Sequence, residues 1–485
     1  VSADAPGEGL RELRGAWIET PKQARERQKQ ASKLQHAQKR AQRNVSGLSL
    51  LLLLTVLALV AGLAFAMETT PYDFWGGFLV GSILLLLTLP IAARASKHDG
   101  DPQSGRIILL AVLVKLVIGT PARYVQSYYL YKAADATSYY NAGLLLIDQF
   151  RHWDFSDLGS LIGTRFIEVL SGITLAIIDQ TRFGQFVVFS WLSFVGLYFF
   201  YRAFRIAFPE GDYKRYRLLL FFWPSLLFWP SSVGKDAWMV LALGMSALGV
   251  AQLLIGRFRG VAWLGVGSLA CCMVRPHLAL MVIAGFAMAL VLRRNSAGYD
   301  RMLARPIGTA ILMVGMIIVA AVLFSQAQAF FKLDSLDLES AQLVLQSTQA
   351  QTSEGGSQYT PADPTTPLGF GEATVTVLFR PFPFEIPSGP GLVAGLEGLM
   401  LVGLAAVSFG RLVRTPRMML RNPYVAFAVG YSFAFVFAFA AISNFGILAR
   451  ERSQLLPVLF VLFSIPKKSV DDEPEIAARP KLKTI

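Results

Sequence analysis

Residues 217–256 read RLLLFFWPSLLFWPSSVGKDAWMVLALGMSALGVAQLLIG. Two apolar runs, 217–233 and 236–256, flank a short polar turn. An α-helix needs ~20 apolar residues to cross ~30 Å of hydrocarbon. In a bilayer every backbone polar group must be satisfied within the protein. The second run is unbroken and meets that demand. The first contains Pro224 and Pro230, which interrupt its hydrogen-bond ladder. Backbone groups freed in this way are tolerated only when buried or lining a cavity. The stretch therefore predicts a broken span, a turn and an intact span.

Working outward, further candidate spans lie at 47–67, 74–93, 107–121, 186–208, 260–274, 278–292, 307–324, 391–410, 424–444 and 453–466, twelve in all. The run at 107–121 continues through the aromatic stretch Tyr124–Tyr131, since tyrosine rings favour the membrane interface. Segment 161–180 is apolar enough to span, but counting it would place the basic run Tyr213–Arg217 outside. It is read as a re-entrant or interfacial helix on which Arg165 and Glu168, three apart, share a face. The predicted fold is an all-α polytopic transmembrane helical bundle of about twelve spans. Both termini are cytoplasmic, and outer re-entrant or interfacial helices are added. A basic helix or tail occupies 1–46, the transmembrane domain 47–466 and a disordered tail 467–485.

Composition and charge agree. The 485 residues are 54% hydrophobic and 16% charged, against about 25% charged in soluble domains. A soluble enzyme, a disordered chain and a nucleic-acid module are excluded as default classes. With a cytoplasmic N-terminus, 33 of the 45 Lys and Arg residues and 14 of the 32 acids fall on inner segments. The net charge of +13 thus separates into a strongly positive inner side and a negative remainder, as the positive-inside rule requires. It records topology and implies no nucleic-acid partner. Cys271 and Cys272 are adjacent and preclude a disulfide framework. The four histidines are scattered without metal-ligand spacing.

Polar chemistry collects on the outer side of this map, in 122–185, in the turn Ser231–Asp236 and in 325–390. Asp135, just past a span and before Tyr139 and Tyr140, suits a general base that activates a hydroxyl. The two rings suit the face of a sugar. The bland account is that Asp135 caps a helix from Thr137 to about Asp148. Lys235 and Asp236 at the turn offer a phosphate-binding cation and a carboxylate. No Walker A pattern is present. Arg275, near the membrane interior, requires an anionic partner, and His277 beside it is a candidate acid or base. In Phe379-Arg380-Pro381-Phe382-Pro383-Phe384-Glu385, Arg380 suits a phosphate, while Glu385 suits orienting it or acting on a hydroxyl. Arg450 and Arg452 break the positive-inside bias and suit a diphosphate. The alternative is an internal pair with Glu451. Lys115, within a span, either snorkels or pairs with an acid such as Glu397. A helix is also expected from about Phe330 to Gln349, ahead of an irregular loop.

The order Asp135-x-x-x-Tyr139, then Pro224-Ser225-x-x-x-Trp229 ending in Lys235-Asp236, then Arg275-Pro276, then Phe379-Arg380-Pro381-Phe382 resembles polytopic bacterial proteins of exopolysaccharide machinery. These are similar to GT-C-like polyprenyl-linked-sugar glycosyltransferases and to O-antigen-like polymerases. The resemblance covers roughly 107–460. It implies a lipid-phosphate or lipid-diphosphate sugar donor and an outward site. Asp135 would be the base, with Lys235, Arg275 and Arg380 on the donor phosphate. Many GT-C enzymes carry their acid in the loop after the first span, which here is only Glu68–Asp73.

The expected function is a glycosyltransferase or polysaccharide polymerase of the plasma membrane with an extracytoplasmic active face. Asp135, Glu385 and Asp236 are its catalytic candidates. Lys235, Arg275, Arg380, Arg450 and Arg452 are its donor-phosphate ligands, and Tyr139, Tyr140 and His277 its substrate contacts. Its partners would be a polyprenyl-linked sugar donor, a glycan acceptor, membrane lipids and envelope-assembly proteins. No cofactor or metal is demanded, although the chemistry leaves room for a divalent ion. The rival classes are a lipid-linked glycan flippase and a non-catalytic envelope scaffold.

Overall fold

The computed structural model describes residues 56–131, 135–292, 346–353, 357–386 and 389–467, with Ser32 and Leu54. The basic helix expected within 1–46, the span at 307–324, most of the helix expected at 330–349 and the tail beyond 467 lie outside the described residues. The chain divides into two compact units, Val1–Thr70 and Pro71–Ile485. The first contains one described helix, α1 (Val56–Thr69). The second holds everything below.

Among the described residues the structure is all-α, with one isolated bridge between Gln358 and Asn444. Four helices are long and apolar enough to cross a membrane: α2 (Tyr72–Asp99), α3 (Pro102–Leu130), α7 (Arg182–Ala207) and α10 (Lys235–Leu254). Between α3 and α7 lie α4 (Asp135–Leu144), α5 (Ile147–Arg151) and α6 (Thr164–Ile178). The expected broken span consists of α8 (Tyr213–Phe222) and the five-residue α9 (Pro224–Phe228). After α10 come α11 (Arg259–Cys272), α12 (Pro276–Val291), α13 (Pro367–Phe379), α14 (Gly389–Val407), α15 (Phe409–Leu412), α16 (Thr415–Arg421) and α17 (Pro423–Phe439). The chain closes with α18 (Phe445–Glu451), a 3₁₀ turn and α19 (Leu456–Phe463).

Local chemistry sets the boundaries. Gly100 ends α2 in the left-handed conformation at φ 64°, which glycine adopts without steric cost. Asp101 then caps α3 by accepting Gln103 N–H, and Pro102 opens the helix, where its missing N–H is not needed. As read from the tyrosines, α3 runs on past 121, through π turns at Lys115–Gly119 and Gln126–Leu130. Thr181 caps α7 through Gly184 N–H. The segment read as re-entrant or interfacial becomes α6, packed on α4 and α5. Its Arg165 and Glu168 pair at 3.2 Å.

Two sets of contacts mark the two ends of the helix array. At the first, Asp73 accepts the Tyr124 hydroxyl at 2.6 Å and Phe183 N–H at 3.0 Å. This joins the start of α2, the late part of α3 and the start of α7. At the second, Arg205 pairs with Asp99, Arg217 with Asp101 and Arg411 with Asp212. The long helices therefore run alternately between these ends. Their contact is close: a Cβ at Gly244 of α10 would lie 2.2 Å from the Gly196 carbonyl oxygen of α7.

Lys115 neither snorkels nor pairs with Glu397. Its ammonium is buried and donates to the Leu226 carbonyl at 2.8 Å. Glu397 is buried, and it accepts Ser225 N–H of α9 at 3.1 Å and the Ser225 hydroxyl. The prolines explain both bonds. A helical Leu226 carbonyl would accept from the residue four ahead, which is Pro230 and has no N–H. Ser225 N–H would donate to Phe221, but the chain is extended at Trp223, ahead of Pro224. Each proline leaves one orphan, and one ionisable side chain satisfies each. α9 also abuts the first π turn of α3, where a Cβ at Gly119 would lie 2.3 Å from the Leu227 carbonyl oxygen. Gly119→Ala is expected to destabilise the protein by about 1–3 kcal/mol through overpacking, read as a lower melting temperature.

Candidate functional site

Five charged side chains meet at the first end. Asp236 lies in the first turn of α10. Gly234 precedes it as N-cap at φ 154°. Asp135 opens α4 as its first residue, rather than capping a helix begun at Thr137. Arg275 is the N-cap of α12, where Pro276 starts the helix. Arg450 and Glu451 end α18, which begins where Asn444 accepts Gly446 and Ile447 N–H.

The geometry is specific. Arg450 Nε donates to Asp236 Oδ2 at 2.5 Å, and its NH1 to Asp135 Oδ2 at 3.4 Å. Arg275 forks onto Glu451, with NH2 2.6 Å from Oε1 and NH1 bonded to Oε2. Gln454 donates to the same Oε2 at 2.6 Å. Arg275 NH2 is also 4.0 Å from Asp236 Oδ1. Asp236 and Glu451 are buried, whereas the Asp135 side chain is 63% exposed. The cluster therefore has buried acids below and an open carboxylate at its mouth. The Asp236 carboxylate raises the Arg450 pKa above its ordinary value. The Tyr139 ring packs beside Gly234. Burial and then the Asp135 charge push its hydroxyl pKa up to about 12, so it stays a neutral donor.

Of the sequence candidates, Asp135, Asp236, Arg275 and Arg450 are joined by these contacts, Lys235 directly precedes Asp236 and Tyr139 lies beside Gly234, whereas Arg380, expected to converge with Asp135, Lys235 and Arg275, is not among them. Other candidates sit elsewhere. Arg380 pairs with Glu385, Nε to Oε1 at 2.7 Å, and lies over the rings of Phe445 and Tyr359 at 4.8 and 5.4 Å. The other Glu385 oxygen accepts Phe382 N–H at 2.6 Å. Glu385, expected among the catalytic carboxylates, instead has both oxygens engaged in this second cluster, on Arg380 and on Phe382 N–H. Because Phe445 opens α18, the two clusters sit at opposite ends of one two-turn helix.

Arg452 requires a correction. It is fully buried and donates to the carbonyls of Val377 and Arg380, tying down the end of α13. Tyr140 is turned toward α7: its hydroxyl meets the Gln180 carbonyl at 3.3 Å and Arg182 lies 5.1 Å from its ring. His277 packs near Phe439, with ring centres 6.1 Å apart.

Two members of the site were missed. Glu451 was weighed only as a partner of its neighbouring arginines, yet it holds Arg275. Its signal was the costly Arg275 itself, which needed a buried acid. Arg123 is the second. Its guanidinium lies 5.0 Å from the Trp229 ring, just before the turn that carries Asp236, but it lies inside an aromatic run that reads as membrane interface. Among the described residues no three His, Cys, Asp or Glu side chains are grouped to hold a metal ion. A scan of family models and searches of the curated proteins and of the solved structures return no match.

Proposed function

We propose that the protein spans the plasma membrane about twelve times with both termini cytoplasmic. The first end is its extracytoplasmic face, and it transfers a sugar or glycan from a polyprenyl-phosphate or -diphosphate carrier to an acceptor hydroxyl. The observation that carries this reading is the convergence of Asp135, Asp236, Arg275, Arg450 and Glu451 at the end opposite the basic loops. An outward site has no access to cytoplasmic nucleotide sugars, so its donor must arrive activated in the membrane. In the reaction the acceptor oxygen attacks the anomeric carbon and the bond to the carrier phosphate breaks. Asp135, open to solution, takes the acceptor proton. The neighbouring cations stabilise charge growing on the departing phosphate.

The test is transfer by purified protein in bilayers from a synthetic polyprenyl-linked sugar. Product is expected from the wild type. Full transfer in both Asp135→Asn and Arg450→Ala would sink the assigned site. One observation favours a second reading, translocation of the lipid-linked glycan. Discontinuous helices with ionisable partners recur at transporter binding sites, and α9 between Lys115 and Glu397 has that form. Movement of the lipid across the bilayer with no product would decide for it.

A further inference from the structure

The cations that sequence reasoning assigned to phosphate are largely neutralised within the protein: Arg275 by Glu451 and Arg450 by Asp236. Two neighbours are not. Among the described residues Lys235 makes no hydrogen bond or ion pair. Among the described residues Arg123 has no carboxylate within ion-pair distance. Its NH1 is held by the Gln126 side chain, its guanidinium lies 5.0 Å from the Trp229 ring and 5.5 Å from Phe228, and its Nε is buried without a partner. Arg123 sits against Trp229, just before the turn that carries Lys235 and Asp236, and Asp236 is joined through Arg450 to Asp135. The group therefore holds four cations, Arg123, Lys235, Arg275 and Arg450, against the carboxylates of Asp135, Asp236 and Glu451. It is one negative charge short of neutrality.

Arg123 lies in the last turns of α3, one of the helices long and apolar enough to cross a membrane. An arginine on a spanning helix is costly unless an anion meets it, and aromatic faces compensate only in part. A guanidinium fork matches phosphate oxygens, and a nearby ammonium adds a point charge.

We infer that Arg123 and Lys235 form an anion subsite for the phosphate of a membrane lipid, reached at the seam where α3 meets α9. The lipid is a polyprenyl phosphate or its sugar-bearing form, the donor proposed above. The inference rests on the membrane placement in that proposal and not on its chemistry.

The experiment uses the full chain in phosphatidylcholine nanodiscs, with a polyprenyl phosphate, the matching uncharged polyprenol and inorganic phosphate as probes. The folded wild type is expected to bind the phosphate form about tenfold or more tightly than the alcohol, as charge-assisted hydrogen bonds to phosphate imply. Arg123→Ala and Lys235→Gln should each erase about tenfold of that preference, with Arg123→Lys between them and the wild type. Arg151→Ala, which breaks an exposed pair with Asp179, should change nothing. Melting curves confirm folding, and Arg123→Lys serves if the alanine variant fails. Equal affinity for alcohol and phosphate, or full affinity in folded Arg123→Ala, would overturn the subsite. Displacement by inorganic phosphate at matched concentration would assign the anion to water and overturn the lipid source. Phosphate-selective binding that needs Arg123, without any sugar transfer, would uphold the subsite and remove the transferase reading.

Discussion

Asp135→Asn is expected to lower kcat for sugar transfer by about 10²–10⁴-fold, the usual contribution of a positioned general base. The melting temperature should hardly move. Asparagine keeps the shape of the side chain but takes up no proton. Asp135 is largely exposed, and its ion pair with Arg450, at 3.4 Å, is at the mouth of the site. Exposed pairs of that kind are worth about 0–1 kcal/mol. KM for the lipid donor should stay close to its original value, because the donor phosphate is met by the cations. Steady-state kinetics beside a melting curve separate these outcomes. Undiminished turnover would remove Asp135 from the chemistry.

The second large effect is on stability. Glu451→Gln or Arg275→Met alone should cost about 3–5 kcal/mol, because removing one partner strands the other charge in a buried setting. The two side chains are only 7% and 15% exposed. Arg275→Met combined with Glu451→Leu should recover most of that loss, since an apolar pair of similar volume carries no desolvation penalty. A double-mutant cycle read by thermal melts checks this. Simple addition of the two single losses would show that Arg275 and Glu451 do not act as a pair.

Much of this was legible in the sequence, for reasons that differ by residue. Helices α2, α3, α7 and α10 declare themselves by apolar length, and Pro224 with Pro230 announced the break now seen between α8 and α9. Asp135, Asp236, Arg275 and Arg450 stood out because charge is expensive beside a membrane and each broke a local rule. Arg123 broke no rule that a linear reading weighs, since a cation among tyrosines at a span's end is ordinary. Only the fold shows that, among the described residues, no carboxylate meets it. The partners of Lys115 and Glu397 were hidden for another reason. Both bind backbone groups of α9, and side-chain pairing logic looks only for opposite charges. The four-residue offset from Leu226 to Pro230 did encode one of those vacancies, and counting it would have found the acceptor. Arg452 misled because an outward arginine and a buried carbonyl clamp look alike in sequence.

The seat of α9 bears on how the chain is made. Lys115 reaches it from 111 residues upstream and Glu397 from 172 residues downstream. Until α14 has emerged and docked, Ser225 N–H has no Glu397 to receive it, whereas the bond from Lys115 to its acceptor Leu226 is already made. Assembly therefore passes through an immature stage with a half-seated α9. A truncated chain ending before α14 would remain at that stage. The proline pair thus makes correct assembly depend on a late segment.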